Sequence, residues 1–295
     1  MNRPVRLALK FRLSGEKRIN RSWQVDLFLF LLLGLFGAFM AIPLIYAINN
    51  AFKPLDELFL FPPKIFVRNP TFNNFPDLFH LMAKSWVPFS RYIFNTVFIT
   101  LVGTVGHVIL ASAAAYPLAK YNFIGSKTLF SIVVLSLMFS SQVTAIPNYM
   151  TMSWLGWIDT YWAIIVPAFA FPLGLYLMKQ FIEQIPMALI ESAKIDGASE
   201  YRVFWTIVMP LVKPAWFTLI ILLFQMLWAT DGGSFIYSEE LKTMHFAMGQ
   251  IIQGGIARAG IAAAVALLLM SVPMALFVIT QSQIIQTMAS SGMKE

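Results

Sequence analysis

Few residues in this chain have the types and spacing that could do chemistry. Gly125-Ser126-Lys127-Thr128 has the outline of a phosphate-binding loop, in which backbone N–H groups and a lysine cradle a nucleotide. Ser126 stands where that loop requires glycine, and no glycine lies five residues before it. The chain therefore does not bind ATP by that device, and ATP-driven work needs a partner. The spacings H-E-x-x-H and G-x-S-x-G do not occur, and there is no cysteine, which excludes thiolate metal sites and disulfide staples. His107 is the one clear ionisable group inside a long apolar segment. It reads as a neutral, hydrogen-bonded packing residue in preference to a proton relay, and the scarcity of such groups argues against a proton- or sodium-coupled pump. Gln142, Asn148 and Gln225 are neutral and polar, with tyrosine and tryptophan nearby. Two readings stand for them: hydrogen bonds to a hydroxyl-rich solute, or hydrogen bonds between helices.

One further stretch, residues 185–214, carries a mechanical signal instead of a catalytic one. Pro186 suits the first turn of a short helix reaching about Ile195. Asp196-Gly197 stops that helix, since glycine accepts the left-handed backbone that helix ends commonly need. Ser199 caps a second helix through Trp205, and Pro210 and Pro214 lead into the next apolar segment. The result is two short helices at a fixed angle around a glycine. Such an elbow is either a simple connector or a rigid knob through which a partner transmits force. The charges of residues 183–213 nearly cancel (Glu183, Glu191, Asp196 and Glu200 against Lys194, Arg202 and Lys213), which suits a protein partner better than anionic lipid.

The elements that position these residues follow from composition. Of the 295 residues, 58% are apolar and 12% charged, against about 25% charged in ordinary soluble domains. Neither a soluble core nor a disordered chain fits so little polar surface. The expectation is an all-α polytopic membrane protein. Six segments reach the roughly 20 apolar residues a spanning helix needs: 27–49, 92–119, 129–149, 161–181, 208–229 and 261–284, the fifth having Pro210, Lys213 and Pro214 at its start. Gly103, Ala111, Ala115 and Ala119 form a small-residue row in the second, which allows close helix packing.

Residues 1–26 form a basic N-terminus with Arg3, Arg6, Lys10, Arg12, Lys17, Arg18 and Arg21; the loop after the second span has Lys120 and Lys127, while residues 150–160 have no lysine or arginine. The positive-inside rule then puts both termini, including the tail 285–295, in the cytoplasm. The charge placement reads as membrane retention and not as a nucleic-acid stripe. The N-terminus does not read as a cleaved signal, because its apolar run is too long and no A-x-A site follows. Residues 50–91 are expected to form an extended external loop with one short helix near 75–82, and 230–260 a second, partly ordered external segment.

Glu191-Ser192-Ala193-x-x-Asp196-Gly197-Ala198, followed by Phe204, Pro210 and Pro214, resembles the EAA signature of bacterial ABC importer permeases. Asn95-Thr96, Ala115-Tyr116-x-Leu118-Ala119 and Leu155-Gly156-x-x-Asp159-Thr160 look like the carbohydrate-uptake branch, and the chain is similar to the smaller membrane subunit of the maltose importer. Ser192 departs from the usual alanine, and Pro117 stands where alanine is frequent. The resemblance implies a type I ABC importer permease fold in a bacterial cytoplasmic membrane, importing sugars or oligosaccharides. A peptide or glycerol-phosphate importer of the same superfamily, or a scaffold or channel without an ATPase, are the alternatives. The implied partners are a second, related permease, a cytoplasmic ATPase dimer holding ATP and Mg, and an extracytoplasmic solute-binding protein. This chain would hold no cofactor of its own and catalyse no reaction. The implied ATPase contacts are polar at Glu191 and Asp196, close-packed at Ser192, Ala193 and Ala198, and turned at Gly197. The segment 230–260 matches an external loop that reaches into the binding protein.

Overall fold

The computed structural model describes residues 23–255 and 258–291, with side chains as far as residue 281. The basic residues Arg3 to Arg21 and the end of the tail, 292–295, lie outside the described residues. The described elements are helical, and no strand occurs among the described residues. In order they are α1 (Trp23–Ala51), α2 (Leu55–Leu58), α3 (Asn74–Ala83), α4 (Phe89–Lys120), α5 (Ser126–Ser136), α6 (Ser141–Trp154), α7 (Trp162–Phe169), α8 (Pro172–Glu183), α9 (Met187–Ile195), α10 (Glu200–Val203), a π-helical turn (Phe204–Val208), α11 (Met209–Leu211), α12 (Lys213–Trp228), a 3₁₀ turn (Glu239–Leu241), α13 (Met244–Ile252) and α14 (Ala259–Ser291). The chain divides into two units, residues 1–46 and 47–295. The described part of the first is the apolar body of α1; everything below concerns the second.

Among the described residues, four stretches are long and apolar enough to cross a membrane: α1, α4, α7 with α8, and α14 as far as Gln281. Two more qualify only as bent pairs, α5 with α6 at 112° and Glu200–Leu211 with α12 at 76°. The third expected span, 129–149, is thus not one helix. After α5 the backbone tightens into i→i−3 bonds, Met138 N–H to the Leu135 carbonyl (3.0 Å) and Phe139 N–H to the Ser136 carbonyl (3.3 Å). Ser140 then turns extended (φ −74°, ψ 152°) and its carbonyl starts α6. A serine favours this position before a helix. Within the fifth expected span the helix α12 begins at Lys213, after the turn at Val212, and Pro214 has no N–H to continue the ladder from the preceding turn. Pro117, near the end of α4, leaves that helix continuous to Lys120.

α4 is the axis of the second unit. Its buried face runs Tyr92, Asn95, Thr96, Ile99, Thr100, Gly103, Thr104, His107, Ala111 and Ala115. This is the 3.6-residue stripe expected of a packed helix, and the small-residue row lies on it. At Gly103 a β-carbon would stand 2.5 Å from Leu227 Cδ1 of α12, so the glycine is what lets α12 approach. Three apolar clusters stack along the axis. At one end Ala115, Met178, Ile182, Ile190, Val203 and Val208 join α4 to α8, α9 and the π turn. In the middle Ile99, Ile165, Ala168, Leu223 and Leu227 join α4, α7 and α12. At the other end Leu78, Tyr92, Trp228, Met248 and Val265 join α3, α4, α12, α13 and α14.

His107 is fully buried, with Nδ1 3.0 Å from the Phe169 carbonyl at the break between α7 and α8 and its ring edge-on to Phe171. This is the packing role expected of it: the imidazole fills the break and takes up a carbonyl there. Gly174 makes the room, since a β-carbon at that position would lie 1.8 Å from His107 Nε2. We expect Gly174→Ala to destabilise the fold by about 2 kcal/mol, the usual scale of overpacking. His107→Ala in the same chain should recover part of that loss. Thermal unfolding of the purified protein measures both.

Candidate coupling elbow and transport pathway

The stretch 185–214 forms the elbow. Pro186 (φ −60°, ψ 135°) opens α9, whose inner face buries Ile190 completely. Glu191 and Ser192 are exposed and Ala193 half-buried. The helix closes with the two-bond glycine motif: Ala198 N–H donates to the Ala193 carbonyl (2.9 Å) and Gly197 N–H to the Lys194 carbonyl (3.0 Å). Gly197 has φ +81°, a conformation that β-carbons make costly. Ser199 then caps α10, its hydroxyl accepting from Arg202 N–H at 3.4 Å. Asp196 and Gly197 are exposed and Ala198 is half-buried. The structure therefore brings all six candidate residues of the elbow onto one short helix and its turn. Ile195 is 86% and Tyr201 75% exposed beside them. An apolar tip flanked by the carboxylates of Glu191 and Asp196 has the chemistry of a protein-docking surface.

A polar tie that the sequence reading missed fixes the elbow's angle. The Lys194 ammonium pairs with the Glu200 carboxylate across the glycine turn and donates to the Tyr121 hydroxyl at 2.9 Å. Tyr121 (2.8 Å) and Tyr116 (3.1 Å) donate to the same carboxylate. The bond to Glu200, then that to Tyr121, holds the Lys194 ammonium above the usual lysine range. Lys120 Nζ donates to the carbonyls of Glu183 (3.1 Å) and Ile185, closing the end of α8. The opposite charges flanking Gly197 were a visible signal; Tyr121, 73 positions from Lys194 at the end of α4, was not.

At the opposite end of α4 the motif residues of the sequence hold loops. Asn95 Nδ2 donates to the carbonyls of Glu240 and Lys242, both at 2.8 Å, while its Oδ1 accepts from the Tyr161 hydroxyl at 2.7 Å. Thr96 Oγ1 accepts from Met244 N–H at 2.7 Å. Asp159, at φ +60° after Gly156 at +69°, accepts from the N–H groups of Tyr237 (2.9 Å) and Ser238 (2.8 Å) and from the Ser238 hydroxyl. The segment 230–260 is accordingly tied at three points, and α13 is its amphipathic part. Burial pushes the Asp159 carboxyl up, but the bonds from Ser238 and Tyr237 outweigh it and hold the group below the usual carboxylate range.

The three pathway candidates lie on two helices. Gln142 and Asn148 lie on α6 and Gln225 on α12; all are exposed on this chain, and no hydrogen bond links them to one another among the described residues. Gln142 lies just after the bend at Ser140. Irregular backbone at membrane depth is tolerated only inside protein or beside a water-filled cavity. No group of three or more His, Cys, Asp or Glu is gathered as metal ligands among the described residues.

Bent and broken spans around one central helix, with a short-helix elbow at one end and a tied loop at the other, define an all-α membrane transport component. Residues 107–288 match the family described as "Binding-protein-dependent transport system inner membrane component", and the chain belongs to that family. It is 39% identical over 188 residues to "Protein LplC" of Bacillus subtilis, covering 62% of this chain and 60% of that one. It is 32% identical over 231 residues to "Polygalacturonan/rhamnogalacturonan transport system permease protein YtcP" of the same organism, covering 75% and 74%. The fold matches that of a bacterial ABC transporter involved in import of the acidic polysaccharide alginate, with a TM-score of 0.75 and 21% identity over 89% of this chain and 98% of that one.

Because the Asp159 pKa is depressed by its bonds, the contribution of the tie is present near neutral pH and is lost as pH falls through that lowered value. Hydrogen exchange at Tyr237 and Ser238 should therefore be slow at neutral pH. Once exchange is corrected for its intrinsic pH dependence, their protection should fall only below the ordinary aspartate range. Asp159→Asn should show the reduced protection at neutral pH already.

Proposed function

We propose that this chain is the membrane-spanning permease subunit of an ATP-driven, binding-protein-dependent importer of sugars or oligosaccharides. ATP and Mg are held, and ATP is hydrolysed, by a separate ATPase dimer; this chain is not an enzyme. The observation that carries the reading is the elbow. Its helix, stop and second helix are fixed by backbone chemistry, its mount on α4 is a multi-dentate polar tie, and its outer face is apolar and acidic. Saccharides as the solute class are supported by the transport for which YtcP and the alginate importer are named.

In this reading Glu191 and Asp196 make polar contacts with the ATPase, Ser192, Ala193 and Ala198 pack closely against it, and Gly197 sets the turn. Both termini lie in the cytoplasm with the loop 183–213. Closure of the ATPase dimer displaces the elbow, and α8, α9 and the end of α4 move with it because they share one buried cluster. Packed interiors transmit such displacements instead of absorbing them. The loaded binding protein, docking on the tied outer segment, and ATP must favour the same state of the transporter, or neither shifts the equilibrium. The exposure of Gln142, Asn148 and Gln225, together with the bend beside Gln142, supports a polar cavity shared with a second, related permease.

The experiment is uptake of labelled oligosaccharide by cells carrying elbow variants, with membrane insertion followed in parallel. Gly197→Asp places both a β-carbon and a charge at φ +81°, and uptake should be lost while insertion persists. Gly197→Asn should retain part of the uptake, since asparagine tolerates the left-handed region better than most residues. Normal uptake by Gly197→Asp contradicts the coupling role. A thermal-shift screen of the cognate binding protein against saccharides, peptides and glycerol phosphates tests the solute class separately.

A further inference from the structure

Two kinds of interaction hold the elbow against the rest of the unit, and they resist different motions. Beneath it, Ile190, Val203 and Val208 pack with Ala115 of α4 and Met178 of α8. Apolar burial keeps surfaces together but is non-directional, so it opposes lifting more than rolling. Hydrogen bonds weaken steeply once they leave their preferred line, so the polar tie is what opposes rolling.

The tie converges on one carboxylate. Glu200 is the first residue of α10, directly after the Ser199 cap. Both of its oxygens lie 2.8 Å from the Tyr121 hydroxyl, and one accepts from the Tyr116 hydroxyl at 3.1 Å. Tyr116 is buried in α4, its ring centre 5.7 Å from that of Phe204 and 5.8 Å from that of Tyr121, which it meets edge-on. Tyr121 is the residue at which α4 ends and the connection to α5 begins. The Lys194 ammonium pairs with Glu200 and lies 5.1 Å from the centre of the Tyr121 ring. Glu200 is thus held from three directions: the body of α4, the start of the α4–α5 connection, and α9.

The elbow does not need this tie for its own shape. Its turn closes through the N–H groups of Gly197 and Ala198 and through the Ser199 hydroxyl. The Glu200 side chain is 55% exposed, and an ion pair that open to water contributes little to stability. What the tie does fix is the direction in which the elbow faces relative to α4.

We infer that Glu200 and Tyr121 are positioning residues of the transport cycle, which lock the roll of the elbow about α4 so that closure of the ATPase moves the spans. Without them the elbow stays folded and seated in the ATPase, and ATP is still hydrolysed. Part of each closure is then taken up by the elbow turning on its apolar base, and less solute crosses per ATP. The two residues thereby set how much transport each hydrolysis yields, an assignment that rests on the reading of the elbow as the ATPase contact.

The test uses the transporter assembled with its second permease and ATPase, reconstituted in proteoliposomes with its binding protein. The probe is the compound, tritium-labelled, that gives the largest thermal shift in the screen of saccharides, peptides and glycerol phosphates. Uptake and phosphate release are measured together. Glu200→Ala and Tyr121→Phe should each lower the solute imported per ATP about fivefold, the scale on which changes within a coupling network act, while phosphate release persists. The double variant should be no worse than Glu200→Ala, since both changes remove the same bond. Glu200→Gln keeps one acceptor oxygen and should fall between Glu200→Ala and the parent chain. Exchanging the charges, Lys194→Glu with Glu200→Lys, offers Tyr121 a carboxylate at position 194 and should recover part of the ratio that Glu200→Lys alone loses. Uptake and hydrolysis falling in proportion, as for a merely structural role, would overturn the proposal, and so would an unchanged ratio in both single variants. Cross-linking of Ile195→Cys to a cysteine in the ATPase cleft separates this proposal from the reading beneath it. No cross-link in the otherwise unaltered chain removes that reading. A cross-link there that is lost in Glu200→Ala makes the tie a docking requirement and overturns the proposal alone.

Discussion

Close approach along α4 is the constraint on which the rest of the second unit depends. A helix can serve as the axis of a packed unit only if its neighbours come within van der Waals reach on several sides, and the stripe of Gly103, His107, Ala111 and Ala115 permits this. Where the stripe is small, α12 and α8 approach closely. Where it turns polar, at Asn95-Thr96 and at Tyr116 to Tyr121, the helix holds a loop at each end. Asn95 and Lys120 lie about 38 Å apart along an ideal helix axis. One rod thus carries both the tied segment of residues 230–260 and the elbow.

The elbow owes its rigidity to redundancy. The glycine motif alone fixes the end of α9, the serine cap alone fixes the start of α10, and the Lys194–Glu200 pair crosses between them onto Tyr121. An exposed ion pair by itself contributes little. Here its role is geometric, since the carboxylate also accepts from Tyr116 of the packed helix α4 and from Tyr121 just past its end. A displacement applied at Ile195 would pass into α4 and α8 without being lost in a hinge. This is the mechanical property the proposed coupling requires.

What could be read from the sequence was local. Pro186, Gly197 and Ser199 each dictate their own backbone, so the two short helices of the elbow and the turn between them followed from a few adjacent residues. The small-residue row and His107 were legible in the same way, through spacing and through the rarity of an ionisable group in an apolar stretch. What was not legible depends on residues far apart in the chain. Tyr121 meets Glu200 across 79 positions, and Asp159 meets Ser238 across 79. The bend at Ser140 was hidden for a different reason. Hydropathy averaged over a span does not register one serine at which the ladder stops. The prolines of residues 50–91 suggested an extended loop with one short helix, and the way Lys53, Glu57 and Asn74 organise that loop from inside depends on partners up to 23 positions away.

The central claim is that the tip of the elbow sits in an ATP-hydrolysing partner. It is tested most directly by placing a single cysteine at Ile195, which is 86% exposed, in this cysteine-free chain. Oxidative cross-linking is then followed in membranes containing an ATPase that carries one cysteine in its docking cleft. The account predicts a disulfide between the two chains whose yield changes when ATP is added. A cysteine at Ile195 that never cross-links to the ATPase, and is modified only by lipid-soluble reagents or only from the outside of sealed cells, would contradict it.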